Sequence, residues 1–424
     1  MSLTSKIFFA MAAGIAVGAI GNTFLAPSAL SDAGAARLIE GSLYYGIFDI
    51  IGRIFVASLK LLVVPIVFVS LVCGTASLGA HGRMGMMAVK TICLYLLTTA
   101  IAISIALGVA LLIDPGQGIA LQTDTSFAPK TPPPLKDVLV NIFPSNPITA
   151  MAEGELLQVI VFSLLFGVAI SKSGERGART LQSFQAINDV IMEMVMILIR
   201  LAPYGVFCLL AKIFYETGFH LIADLAKYFF AVVTALLLHA LGVYPVLLRM
   251  LAQLNPVIFF KRIRPVMMFG FSTASSNATL PITLETVEEK LGVKNSVASF
   301  TVPLGATINM DGTAIMQGVA TVFIAQAYQI DIGLTGYLTV ILTATLASIG
   351  TAAVPGVGLI TLAMVLQQVG LPVEGIALII GVDRLLDMMR TAVNVTGDSM
   401  VSCVVARSEG ALDDATFENK PTSS

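Results

Sequence analysis

Long apolar runs separated by short polar connections dominate the chain. Six of them are ordinary candidate spans: Ile7–Leu25, Tyr45–Leu71, Met86–Ile113, Leu156–Ser171, Val190–Phe214 and Leu221–Leu251. A helix needs about 20 apolar residues to cross the hydrocarbon core, and several of these runs are long enough to cross at a tilt. Two further stretches, Pro256–Leu291 and Leu334–Pro372, are apolar but broken in the middle, at Ser272–Pro281 and at Ser348–Gly358. A straight helix in lipid has little use for such Ser, Thr, Asn, Gly and Pro clusters. Two half-length helices meeting at a polar tip do, and that re-entrant form is tolerated where protein or a watery cavity covers the open backbone. Each broken stretch is followed by a helix with polar residues at membrane depth. Val297–Ile330 carries Asn309-Met310-Asp311-Gly312-Thr313, and Val373–Ala406 carries Asp383, Arg384, Asp387, Arg390, Asn394 and Asp398. Hairpin plus polar helix, occurring twice, predicts an all-α integral membrane protein built from inverted repeats, with its site where the repeats meet.

Composition agrees. Of 424 residues, 56% are hydrophobic and 12% charged, against about 25% charged in a soluble domain. A net charge of -2 argues against nucleic acid as a partner and leaves the lipid bilayer as the surroundings. Cys73, Cys93, Cys208 and Cys403 lie apart in apolar runs, so they suggest neither a metal cluster nor a disulfide framework. His81, His220 and His239 are scattered and read as solvated or interfacial groups. The start, Met1–Lys6 before an apolar run, resembles a signal peptide. It reads instead as the first membrane helix, because no small-residue cleavage site follows and further spans do. Lys6, Arg83 with Lys90, Lys172 with Arg176 and Arg179, and Lys261 with Arg262 and Arg264 fall on alternate connections. The positive-inside rule places these and both termini in the cytoplasm, with the loop Thr123–Lys136 outside.

The last polar helix carries the strongest chemical signal. Asp387, Thr391, Asn394 and Asp398 follow at spacings of four, three and four, which puts them on one stripe with Arg390 beside them. A charge at the bilayer centre costs about 2.5–3.5 kcal/mol even on a lenient scale. Five charges on this helix therefore need an aqueous cavity, mutual pairing or ligands. An Asp–Arg network that merely holds the bundle is the plainer alternative, although buried pairs stabilise weakly. The fork of Arg390 binds a carboxylate bidentately and never loses its charge, and Asp387, one turn away, can take an ammonium group. Together they match a zwitterion with an acidic side chain. Asn309–Thr313 is built of poor helix-interior residues, and its carbonyl, amide, hydroxyl and carboxylate oxygens suit a hard cation. A kink at Gly312 would need no carboxylate at Asp311. Ser275-Ser276 could offer N–H groups at a half-helix N-terminus, or could be packing glue. Thr98-Thr99, taken alone, reads as packing.

These segments, with Ile142-Phe143-Pro144-Ser145-Asn146-Pro147, resemble the glutamate transporter family of dicarboxylate/amino acid:cation symporters, in order along nearly the whole chain. The resemblance implies an elevator-type homotrimer with about eight spanning helices and two re-entrant hairpins in each subunit. The scaffold would take roughly 1–80 and 142–218, the transport part 84–114 and 219–408, and a cytoplasmic tail 409–424. It implies a substrate pocket of Ser275, Ser276, Thr313, Val354, Gly358, Asp387, Arg390, Thr391 and Asn394. Sodium ions, as co-transported ligands rather than cofactors, would use three groups. One is Asp398 with the backbone of Gly305, Asn309 and Asn394. A second is Thr307, Ser348, Ile349 and Thr351. The third is Tyr95, Thr98, Thr99, Asn309 and Asp311.

Three departures stand out. Archaeal relatives have Arg where this chain has Ala274, and neuronal relatives have it where this chain has Met388; Arg384, one turn before, is the candidate substitute. Neuronal relatives also have a Glu, tied to proton and potassium coupling, where this chain has Gln317. The resulting expectation is a sodium-coupled symporter of aspartate or glutamate. The alternatives are a proton-coupled glutamate or C4-dicarboxylate symporter and, from another class, an intramembrane aspartyl protease suggested by Gly397-Asp398. The protease needs two carboxylates sharing a proton, lacks a Tyr-Asp partner helix and leaves both hairpins unexplained, so no enzyme is expected.

Overall fold

The computed structural model describes residues 3–25, 40–78, 85–119, 140, 143–217, 220–349 and 356–418. Among them the regular structure is helical, apart from one isolated antiparallel bridge between Val293 and Leu412. The order is α1 Leu3–Leu25, a π-helical lead-in Glu40–Phe48, α2 Asp49–Leu78, α3 Gly85–Ile113, α4 Pro147–Glu153, α5 Leu156–Lys172, α6 Gly174–Arg200 and α7 Ala202–Thr217. Next comes α8, His220–Leu238, which runs on through π-helical turns at His239–Val243 and Leu248–Ala252. The predicted single span Val190–Phe214 is two helices, bent by 47° between α6 and α7. Pro203, near the start of α7, has no N–H to continue the ladder.

The first broken stretch is a helical hairpin. Asn255 caps α9, Pro256–Thr273, by accepting from the Val257 N–H at 2.9 Å, and Pro256 opens the first turn. The helix stops at Ala274, in the left-handed region at φ 50, and Ser275 is extended at φ -146. Ser275 Oγ then accepts from the Ala278 N–H at 3.3 Å and starts α10, Ser276–Glu285. A left-handed alanine costs on the order of 1 kcal/mol, so the tertiary surroundings fix this two-residue tip. α11, Asn295–Ile308, and α12, Asp311–Ala327, form one interrupted helix, with Asn309 and Met310 in non-helical conformations between them. α13, Gly333–Ser348, and α14, Val357–Gln368, are the arms of the second hairpin. Its tip, with Thr351 and Val354, lies outside the described residues. α15, Ile376–Ser408, is continuous over 33 residues despite its charges.

α1, α2, α5, α6 and α7 pack on one another, while α3, α8, α12 and α15 pack together with the first hairpin. A Cβ on Gly14 would lie 2.7 Å from the Phe207 carbonyl, and one on Gly18 2.5 Å from that of Ala211, so α1 and α7 meet backbone to backbone. Residues 409–418, expected as a tail, are instead docked: the Val293–Leu412 bridge and α16, Asp414–Glu418, sit under the first hairpin, and Phe417 is 1% exposed.

Candidate substrate and cation site

Arg390 has no exposed surface. A charge so placed must be paired, and the helix itself supplies the partners. Asp383, Asp387 and Arg390 lie at i, i+4 and i+7, on one face of α15. Arg390 Nη1 donates to Asp383 Oδ1 at 2.8 Å, and Nη2 donates to Asp387 Oδ1 at 2.8 Å. Asp387 Oδ2 accepts from the Gly356 N–H at 3.2 Å and lies 3.4 Å from Arg384 Nη1. The candidate substitute Arg384 thus does reach the pocket. Among the described residues Arg390 Nε has no partner. Asp383 was absent from the expected pocket, although its seven-residue spacing to Arg390 marks two turns of the same stripe.

Small residues bring three other elements to this stretch of α15. A Cβ on Gly358 would lie 3.5 Å from Arg390 Nη1 and 3.3 Å from Thr313 Cγ2, so α14 closes on the fork and meets α12 beside it. A Cβ on Gly312 would lie 2.5 Å from the Arg390 carbonyl oxygen, which leaves no room for one. The Gly312 N–H donates to Asn394 Oδ1 at 2.7 Å, and Thr391 Oγ1 donates to the Asp387 carbonyl at 2.9 Å. The first hairpin rests on the same helix, with a Gly270 Cβ position 3.6 Å from Thr391 Cγ2. Its tip residues Ser275 and Ser276 are buried. Thr313, Gly358, Asp387, Arg390, Thr391 and Asn394 are therefore brought together.

The unwound turn gathers oxygens. Asn309 Nδ2 donates to Asp398 Oδ1 at 2.9 Å and to the Asn394 carbonyl at 3.1 Å. Its Oδ1 is buried and has no partner among the described residues. A Cβ on Gly305 would lie 2.5 Å from both Asp398 Oδ1 and the Tyr95 hydroxyl, so the bare backbone of α11 lies against this carboxylate. Carboxylate, carboxamide and carbonyl oxygens suit a hard cation.

The second carboxylate, Asp311, is fully buried. Its Oδ1 accepts from Thr99 Oγ1 at 2.6 Å and Thr98 Oγ1 at 3.3 Å, which takes Thr98-Thr99 out of the packing class. Its Oδ2 accepts from the Tyr244 hydroxyl at 2.9 Å and lies 3.0 Å from His239 Nε2. His239 is thus not solvated or interfacial: it is fully buried at the site. Neither residue was anticipated, and a histidine deep in an apolar span was the signal available. The remaining group is less assembled. Thr307 donates to its own helix at the Pro303 carbonyl (3.2 Å), and Ser348 to that of Thr345 (2.8 Å). Ile349 is buried beside Ser348.

A profile of the sodium:dicarboxylate symporter family matches residues 3–408. The chain belongs to that family. It is a membrane transporter, not an enzyme. A "Proton/sodium-glutamate symport protein" of Bacillus caldotenax is 33% identical over 392 residues, covering 89% of this chain and 93% of the relative. A "Proton/glutamate-aspartate symporter" of Escherichia coli (strain K12) is 35% identical over 374 residues, covering 85% of each. A "Neutral amino acid transporter B(0)" of Bos taurus is 35% identical over 389 residues, 83% of this chain and 72% of the relative. Overall identity in the family therefore does not follow substrate charge, and the residues of the pocket have to be read for it.

Proposed function

We propose that the protein is a secondary symporter that carries an acidic amino acid, aspartate or glutamate, together with sodium ions. The observation that carries this reading is the buried fork of Arg390, held between Asp383 and Asp387, with Arg384 beside Asp387 and Thr313, Gly358, Thr391 and Asn394 gathered around the same stretch of α15. Arg390 and Asp387 bond each other. A substrate with an ammonium group and a side-chain carboxylate satisfies both at once, the carboxylate on the fork and the ammonium on Asp387. A neutral amino acid would bring no carboxylate to the arm of the fork that Asp387 gives up, and a dicarboxylate would set a second carboxylate beside Asp387 with no ammonium to meet it, each leaving a buried charged group less well paired. Asp398 and Asp311, with their surrounding oxygens, would each balance a sodium ion where Coulomb attraction is stronger than in water.

In this reading three subunits assemble in the inner membrane with cytoplasmic termini. The two packing groups of helices act as scaffold and moving transport part, and the second hairpin acts as the gate.

Uptake into proteoliposomes tests it, with labelled aspartate, glutamate, succinate and serine under an inward sodium or proton gradient. Aspartate and glutamate should enter under the sodium gradient, with succinate and serine far behind. Uptake that ignores sodium and follows protons would overturn the sodium assignment, and a preference for serine would overturn the acidic one.

A further inference from the structure

Asp311 is approached from two sides by two kinds of donor. Oδ1 meets the hydroxyls of Thr99 and Thr98, at 2.6 and 3.3 Å. Each hydroxyl has a second acceptor in reach, the Tyr95 carbonyl, at 2.8 Å from Thr99 Oγ1 and 3.0 Å from Thr98 Oγ1. Oδ2 meets Tyr244 at 2.9 Å and His239 Nε2 at 3.0 Å. A carboxylate accepts only, so Nε2 carries the hydrogen of this contact.

A local irregularity of α8 creates the second side. His239 and Tyr244 are five residues apart, which on an α-helix turns them about 140° away from each other. Here the turn is π-helical, and the Tyr244 N–H donates to the His239 carbonyl, closing an i to i+5 ring. The two side chains therefore sit one above the other, with ring centroids 4.6 Å apart and planes at 70°, and both reach one oxygen. α15 leaves room for this. A Cβ on Gly397 would lie 2.6 Å from the Tyr244 hydroxyl and 2.5 Å from Asn309 Nδ2, so bare backbone lets the anchor of Asp311 sit beside the Asp398 group.

We propose that His239 and Tyr244 are positioning residues that fix Oδ2 of Asp311 and so leave Oδ1 to a sodium ion. The threonine hydroxyls are the movable half. When the ion arrives their hydrogens turn to the Tyr95 carbonyl, and the two hydroxyl oxygens and Oδ1 face the cation together. A carboxylate already held at its far oxygen loses no rotational freedom on binding, which is the gain of preorganisation. The π-turn thus specifies a cation site through residues that do not touch the cation. This inference rests on the sodium-coupled reading above.

The test is aspartate binding to the purified full-length protein, titrated with sodium. Tyr244→Phe removes one oxygen and keeps the ring, and His239→Leu removes the other donor. His239→Gln keeps an N–H donor of similar reach. Tyr244→Phe and His239→Leu should each raise the half-saturating sodium concentration about tenfold, as loss of a hydrogen bond to a charged group does. His239→Gln should stay within about threefold of the wild type on the same grounds. The stabilisation that sodium adds in thermal unfolding should shrink in the first two variants, whereas a packing role would lower stability equally with and without sodium. If His239→Leu fails to fold, Tyr244→Phe alone decides. Half-saturating sodium unchanged in the folded variants, or His239→Gln as impaired as His239→Leu, overturns the inference while leaving sodium coupling in place. A wild type whose aspartate binding ignores sodium overturns the sodium reading and this inference together.

Discussion

Arg390 and Asp383 face each other across two turns of α15, with Nη1 2.8 Å from Oδ1. Asp387 holds the other arm of the same guanidinium at 2.8 Å. The two carboxylates have different tasks under the proposed function. Asp387 must release the fork to take the substrate ammonium, whereas Asp383 can stay bonded throughout and keep the fork from swinging. The guanidinium then exchanges one carboxylate for another and keeps two carboxylate partners before and after.

Replacing the fork should change the class of substrate rather than abolish binding altogether. Arg390→Cys is expected to lose aspartate and glutamate binding by more than about 100-fold, the scale of removing one partner of a buried pair. Neutral amino acids should gain entry, since the cavity keeps Asp387 for their ammonium group. Asp383→Asn keeps an oxygen acceptor and should cost only about tenfold in aspartate affinity. Competition binding with aspartate, serine and alanine on both variants checks this. Unchanged aspartate affinity in Arg390→Cys would remove Arg390 from the substrate site.

Asp398 should act on the substrate only through the ion. It receives Asn309 Nδ2 at 2.9 Å, and the same amide reaches the Asn394 carbonyl at 3.1 Å, on the helix that carries Asp387 and Arg390. Asp398→Asn removes the charge and keeps the shape. Sodium affinity is expected to fall, and aspartate affinity at fixed sodium to fall with it, because coupling between two ligands is reciprocal. At saturating sodium the aspartate affinity should recover to within about threefold of the wild type by the same linkage. An aspartate affinity that stays low at any sodium concentration would instead make Asp398 a direct support of the pocket.

How far the sequence reached depends on periodicity. The first hairpin was legible because its signals are local: Asn255-Pro256 begins one arm, and Ser275 caps the next within three residues. The stripe from Asp387 to Asp398 was legible because α15 keeps its 3.6-residue period for 33 residues. His239 and Tyr244 escaped because that period fails at the one turn that matters, where a π-helical closure replaces the α-helical one. The break at Leu201 escaped for a related reason. Apolar residues continue on both sides of it, so hydropathy registers one span where Pro203 divides two helices. Asp383 entered only through the alternative of an Asp–Arg network, since its pairing is made by a long side chain reaching back two turns and only the seven-residue spacing marks it.

Residues 409–418 tie α15 to the base of the first hairpin through several independent contacts. The Lys294 N–H donates to the Ala411 carbonyl at 2.9 Å, and the Asp413 N–H to that of Gly292 at 2.8 Å. Gly292 has φ 74, and a Cβ there would lie 2.4 Å from the Asp413 oxygen, so this crossing requires glycine. Arg407 Nη1 donates to Asp414 Oδ2 at 2.9 Å, and its Nε donates to the Ala252 carbonyl at 2.8 Å. Arg262, on the hairpin, donates to the carbonyls of Lys290 and Thr416 and lies 5.8 Å over the ring of Phe417. That ring is the apolar centre of the arrangement, and removing it leaves a cavity under the hairpin. Phe417→Ala should cost about 3–5 kcal/mol if the site cannot collapse, read as a lowered unfolding temperature. Local opening should accompany it. Val287, in the π-helical turn Thr286–Lys290 that follows α10, is fully buried, so a cysteine there, in a background without the native cysteines, should resist a water-soluble thiol reagent. Adding Phe417→Ala should speed that labelling by more than about tenfold, since the opening free energy of a local unit falls with its packing. Should both the unfolding temperature and the labelling rate stay at their parent values, residues 409–418 would be a passive end rather than a clamp on the first hairpin.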